Sequence, residues 1–332
     1  MDLIRIALAG YGEWTREALI PSLERDGRAR IVAAAARTPA TRARIRAELG
    51  SHVALHSGFA GLFDEEVDAL ILALPSSLHE EGVLAAVESG LPFFHEPPVA
   101  NHRDRVRPVL RRLLGARQVT HADMELRFIP VIHRAARRVA EGAIGEPRTA
   151  MIRMRGSWSP DPSAGISLMH SLSPWYVDAL DQVLGASPKR VLVQDGHGFP
   201  GRMQSYSLTQ LDYDGVWGSF DANISAVPGM TTSLEVTGTE GDLQADLFTA
   251  EIRLRTLTRP EPDIERVPAL EPYAGWPGMC ECVAAFLDAV SGQAPQRAGV
   301  RAVARSHLVG LAGERSIDTG TWAEVEGLAD LE

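Results

Sequence analysis

Gly10-Tyr11-Gly12 stands directly after the apolar run Leu3–Ala9 and before an amphipathic stretch, Thr15–Arg25. A glycine turn between a strand and a helix is the context of a dinucleotide fingerprint. The first glycine allows the tight turn, and the second lets backbone N–H groups approach a pyrophosphate at the helix N-terminus. Trp14 extends this loop, and Thr15 replaces the third glycine of the pattern, which predicts looser strand–helix packing. Glu13 brings a carboxylate to the place of an anion and opposes phosphate binding. A phosphate-binding loop and a tight turn that binds nothing both remain open. The next apolar run, Arg30–Ala36, ends in Arg37-Thr38 with no Asp or Glu for ribose hydroxyls. An arginine there suits a 2′-phosphate, so NADP(H) is expected over NAD(H); the alternative is a solvated surface arginine.

Other chemistry is thinly spread. Lys189 is the sole lysine against 32 arginines, so lysine acid/base chemistry is available at one position. His121 ends an apolar segment, and His170 and Tyr176 flank a helical one; each is a candidate acid or a hydrogen-bonded structural residue. Arg153 and Arg155 alternate on one face of a strand, with Trp158 three residues on. They make either a cationic, partly aromatic pocket for an anionic small molecule or a salt-bridged sheet face. Cys280 and Cys282 are too close for an ordinary disulfide, and Cys-x-Cys alone is a poor metal site, so no metal is expected. A reducing, cytoplasmic location follows as the expectation.

The elements that position these residues fall into two blocks. Apolar runs at Leu3–Ala9, Arg30–Ala36, Val67–Leu74, Pro92–His95 and Gln118–Ala122 alternate with helical stretches, which predicts a parallel α/β sheet over residues 1–122. Residues 123–332 read as an α+β domain. Strand-like segments (Arg148–Trp158, Arg190–Asp195, Ser205–Tyr213, Trp217–Ser225, Thr232–Thr237, Ile252–Thr256) predict a largely antiparallel, open sheet, with a helix at Pro174–Leu184 after its first strand. Helices at Met279–Ser291 and Val300–Ile317 are expected to return to the first domain. The formal charge of −10 argues against nucleic acid and anionic membranes as partners. No apolar run reaches the roughly 18–20 residues of a membrane span.

Four segments carry a family resemblance. Val67–Leu74 with Pro75-Ser76-Ser77-Leu78-His79 resembles the third strand and Pro…His turn of the glucose–fructose oxidoreductase/inositol dehydrogenase (Gfo/Idh/MocA) family. Gly90–Ala100, containing His95-Glu96-Pro97-Pro98, resembles its Glu-Lys-Pro segment. Gly142–Glu146 and Gly238–Gly241 match its Gly-x-Ile-Gly-Glu and Gly-Thr-Glu-Gly turns. The resemblance implies a Rossmann domain joined to an open-sheet α+β domain, hydride chemistry with NAD(P), and assembly into homodimers or homotetramers through that sheet. It places Leu74, Pro75, His79, Glu96 and Pro97 at the cofactor, and Glu125 and Arg127 at the substrate cleft.

The proton-handling residues of the family are replaced. Its lysine corresponds to Pro97. The Asp and His four residues apart on a helix of the second domain correspond to Ser171 and Trp175. Alcohol dehydrogenation needs a base as the hydride leaves. Reduction of an already protonated imine needs no concurrent proton transfer, and reduction of a specialised carbonyl needs a replacement acid. Two functions are therefore expected: an atypical NAD(P)-dependent reductase, or a protein of this fold without hydride transfer that binds a ligand, regulates a partner or runs a non-redox reaction.

Overall fold

The computed structural model describes residues 3–158, 164–196, 205–226, 229–268 and 276–331. The chain divides into two units, Met1–Met124 with Pro272–Val303, and Glu125–Glu271 with Ala304–Asp330.

In the first unit, β1 (Ile4–Ala9), β2 (Ala29–Ala35), β3 (Ala54–His56), β4 (Ala69–Leu72), β5 (Phe93–His95) and β6 (Thr120–Ala122) form a parallel sheet in the order β3-β2-β1-β4-β5-β6. The run Ile6-Ala7-Leu8-Ala9 is wholly buried, as a strand covered on both faces must be. The direction of winding reverses between β1 and β4, and ligands of such sheets bind at the strand ends beside that reversal. The helix after β1 opens with a π-helical turn, Thr15–Leu19, and continues as α1 (Ile20–Asp26). Next come α2 (Pro39–Leu49), α3 (His79–Ser89) and α4 (Arg103–Leu114). Strand β3, an edge strand of three half-buried residues, has no counterpart among the expected strands.

The second unit runs from α5 (Pro130–Ala140) through β7 (Pro147–Arg155), α6 (Leu168–Leu184), β8 (Arg190–Gly196), β9 (Tyr206–Asp212), β10 (Trp217–Asn223), β11 (Thr231–Gly238), β12 (Gly241–Asp246), β13 (Glu251–Thr256) and β14 (Arg259–Arg266). Helix α7 (Met279–Val290) belongs to the first unit, where it packs on α1, while most of α8 (Val300–Thr319) and β15 (Ala323–Glu324) belong to the second. Among the described residues the sheet order is β14-β13-β12-β11-β7-β10-β9-β8-β15, antiparallel throughout except for the β7–β10 pair. One face packs on helices; the other is open, and exposed and buried residues alternate along β9 and β11.

Helix α6 starts six residues before the expected Pro174. Ser167 caps it, its hydroxyl accepting from the His170 N–H at 3.1 Å, and Pro174 lies inside the helix. Proline has no N–H for the His170 carbonyl; the Ser173 hydroxyl, 3.0 Å away, supplies that bond instead.

Candidate cofactor cleft

At the end of β1, Gly10 adopts φ +96°, and an added Cβ would lie 2.0 Å from the Ala73 carbonyl oxygen. Glycine is therefore demanded here by the protein's own backbone. Gly12 differs: no atom lies within 4 Å of the place its Cβ would occupy, although the residue lines the cleft. Nothing in the chain requires glycine at position 12. The vacant cradle beside it would fit a dinucleotide phosphate.

The loop is anchored away from the cleft. The Tyr11 hydroxyl donates to Glu48 Oε2 of α2 at 2.8 Å, and Arg16 donates to the same oxygen at 3.2 Å. Burial and this carboxylate push the phenol well above its ordinary range. The cleft, of about 860 Å³, continues along Ala36, Arg37 and Thr38 at the end of β2, Leu74 and Pro75 after β4, and Glu96 and Pro97 after β5. Arg37 is exposed at its edge. Thr38 lines the cleft, and its hydroxyl caps α2, accepting from the Thr41 N–H at 3.1 Å. Glu13 lines the cleft but is exposed to solvent, which weakens the repulsion expected of it.

At the other end the loop residue Trp14 meets Asp123, which the sequence did not single out. The Trp14 indole N–H lies 3.0 Å from Glu96 Oε1 and 3.1 Å from Asp123 Oδ2, and its ring meets Trp276 edge-on at 4.7 Å. Asp123 is fully buried. It directly follows β6, and a carboxylate just past a strand end was the available signal for it. Pro97 adds no side-chain proton. His79, 7% exposed, bonds through both ring nitrogens to backbone carbonyls. His121 is not offered to a ligand. It is fully buried in β6, stacked on Phe94 at 5.7 Å and close to Phe286 and the Cys282 thiol, because neighbouring aromatic side chains close over it.

In the second unit the remaining candidates are committed to packing. His170 is fully buried, its Nδ1 3.2 Å from Glu314 Oε1. Tyr176 stacks on Phe220 at 4.9 Å, and burial pushes its hydroxyl far above neutrality, so it is no proton donor as placed. Arg127 pairs with the buried Asp178, beside the buried Glu125, and is not a free cation for an anionic substrate. Arg153 and Arg155 both pair with Asp221 on the open face of the sheet. These pairs make a salt-bridged sheet face, with the half-exposed Trp158 lying over Gly156. Ser171 and Trp175 lie one turn apart on α6, both partly buried, and Trp175 packs against the core.

Residues 4–119 match the family description "Oxidoreductase family, NAD-binding Rossmann fold", and residues 132–244 match the "GFO/IDH/MocA C-terminal domain". The chain belongs to the GFO/IDH/MocA oxidoreductase family. Among curated relatives, a scyllo-inositol 2-dehydrogenase (NAD(+)) of Bacillus subtilis is 27% identical over 210 residues, 59% of this chain and 60% of that protein. The chain thus spans about three-fifths of that relative. An oxidoreductase from Thermotoga maritima superposes with a TM-score of 0.84 over all of both chains at 19% identity. A levoglucosan dehydrogenase, solved with NADH and L-sorbose, gives 0.84 over 99% of this chain and 100% of the other, also at 19%. These likenesses establish the family's fold for the whole chain.

Proposed function

We propose that the protein is an NAD(P)-dependent oxidoreductase of the GFO/IDH/MocA family that reduces an imine or a specialised carbonyl, with NADP(H) preferred. The cleft supports the cofactor: Gly12 leaves the phosphate cradle open, Tyr11 holds the loop against α2, and Arg37 offers an unspent charge to a 2′-phosphate. A bound dihydronicotinamide supplies a hydride. The observation that carries the choice of substrate is Pro97, which provides neither base nor acid where the family resemblance places a lysine. His121, His170 and Tyr176 are closed off in cores. A protonated imine already holds the proton that a carbonyl must acquire, so its carbon can accept hydride without a side-chain acid.

Titration of NADPH and NADH by fluorescence tests the cofactor reading. Arg37→Ala is expected to weaken NADPH while leaving NADH nearly unchanged; equal wild-type affinities refute the preference. Turnover of cyclic imines, with none of sugars or inositols, is the expected substrate pattern, and robust sugar oxidation overturns it. Binding of either cofactor without turnover on any imine or carbonyl favours the non-redox alternative. We further propose that the open sheet face, with half-exposed Leu208 and Trp217, pairs with a second copy of the chain. Light scattering showing only monomer refutes that pairing.

A further inference from the structure

We propose that His79 is a doubly protonated clamp that sets the width of the cleft, and that cofactor affinity is lost when it gives up one proton. His79 Nδ1 lies 2.8 Å from the Pro98 carbonyl oxygen, and Nε2 lies 2.9 Å from the Leu74 carbonyl oxygen. A carbonyl only accepts, so each bond requires a proton on the ring nitrogen. A neutral imidazole carries one such proton and an imidazolium carries two. Both bonds together therefore specify the cation.

The two carbonyls belong to the two turns that wall the cleft, one after β4 and one after β5. The imidazolium holds the turns at a fixed separation. Loss of one proton sets a nitrogen lone pair against a carbonyl oxygen, and that wall must move. Helix α3 also packs on the Leu74 turn through Gly82, one turn along, where an added Cβ would lie 2.4 Å from the end of the Leu74 side chain.

The charged surroundings act in both directions. The N-terminus of α3 disfavours a cation at its first residue. Glu80 and Glu81 in the same turn oppose that effect, although Glu80 also binds Arg105. Glu81 and Glu96 line the same cleft, and their negative charge favours the cation. His95 on β5 does not compete for the charge, because burial, reinforced by His79, lowers it to about 4.

The affinity part of this inference rests on the cofactor reading; the charge state does not, and the two are tested separately. Histidine-ring 1H–15N correlation spectra of the unliganded protein between pH 6 and 9 test the charge. One ring is expected to keep two N–H correlations at pH 8, and that pair is expected to vanish in His79→Gln. A single N–H from this ring at pH 8 overturns the proposal. Should His79→Gln fail to fold, the ring is assigned through the Leu78 and Glu80 amides. The dissociation constant of NADH, read by fluorescence, is expected to stay level to pH 8 and then rise at least about tenfold, the loss of one charge-assisted bond. In His79→Gln, binding is expected to be uniformly weak. Binding that is independent of pH in the wild type while the ring titrates overturns the clamp. Absence of both NADH and NADPH binding at every pH refutes the cofactor reading, and the spectra then decide the charge state alone.

Discussion

Gly10 and Gly12 are two residues apart, yet the geometry assigns them opposite costs. Alanine at position 10 puts its Cβ 2.0 Å from the Ala73 carbonyl oxygen and keeps φ at +96°. The left-handed conformation costs about 1–2 kcal/mol, and the overlap with rigid backbone adds about 1–3 kcal/mol. A loss near 3 kcal/mol is expected, visible as a lower urea midpoint for the first unit. Alanine at position 12 meets no atom within 4 Å, and φ there is not positive. Its effect on stability is expected to lie between zero and a gain of about 0.5 kcal/mol, because the unfolded chain loses freedom. The same methyl occupies the cradle, so NADPH and NADH affinity is expected to fall at least about tenfold, the equivalent of about 1.4 kcal/mol. The assay pairs urea unfolding, followed by far-UV circular dichroism, with cofactor fluorescence titration on the same preparations. Undiminished affinity in Gly12→Ala would refute the assignment of the vacant cradle to a dinucleotide. Wild-type stability in Gly10→Ala would refute the packing argument.

Glu13→Ala is expected to tighten dinucleotide binding modestly, and more at low than at high salt, since the carboxylate lines the cleft but is exposed; no change at any ionic strength removes Glu13 from the site. His95 is fully buried, and burial, only partly offset by the Glu96 backbone, lowers it from 6.5 to about 4. The unfolded chain therefore binds the extra proton first, so first-unit stability is full above pH 6.5. It should decline by up to about 1.4 kcal/mol per pH unit between 6.5 and 4. His95→Leu should flatten that slope in urea titrations, and an unaltered slope counts against the argument. The triple replacement Pro97→Lys, Ser171→Asp, Trp175→His is expected to yield no sugar or inositol oxidation with NAD or NADP, because Trp175, partly buried, packs its indole against the core and the smaller imidazole leaves a gap there; robust turnover would point to simple decay of a sugar dehydrogenase.

The parallel sheet was legible because its strands are buried on both faces and read as unbroken apolar runs. The exceptions are instructive. β14, Arg-Pro-Glu-Pro-Asp-Ile-Glu-Arg, has no apolar alternation, since as an edge strand it is exposed on nearly every residue and tolerates proline. The start of α6 was hidden because Pro174 reads as a first helical residue, and only Ser173 filling the gap makes an interior proline acceptable. At the candidate site, glycine spacing and the turn motifs located the cleft wall. Composition alone could not show that His121 and His170 face inward, because histidine suits either environment. The role of Trp14 depends on contacts with Glu96, Asp123 and Trp276, which lie 82 to 262 positions away in the chain.

That indole has an optical consequence. Trp14 is bonded to carboxylates and set against a second indole, so its excited state is sensitive to any charge that moves beside Glu96. It also lines the very cleft in which a dihydronicotinamide, an acceptor of tryptophan emission, would lie. The protein thus carries an unlabelled chromophore at the mouth of its own site, positioned to record ligand arrival on the timescale of a stopped-flow trace, and Trp14→Phe identifies which part of the signal is its own.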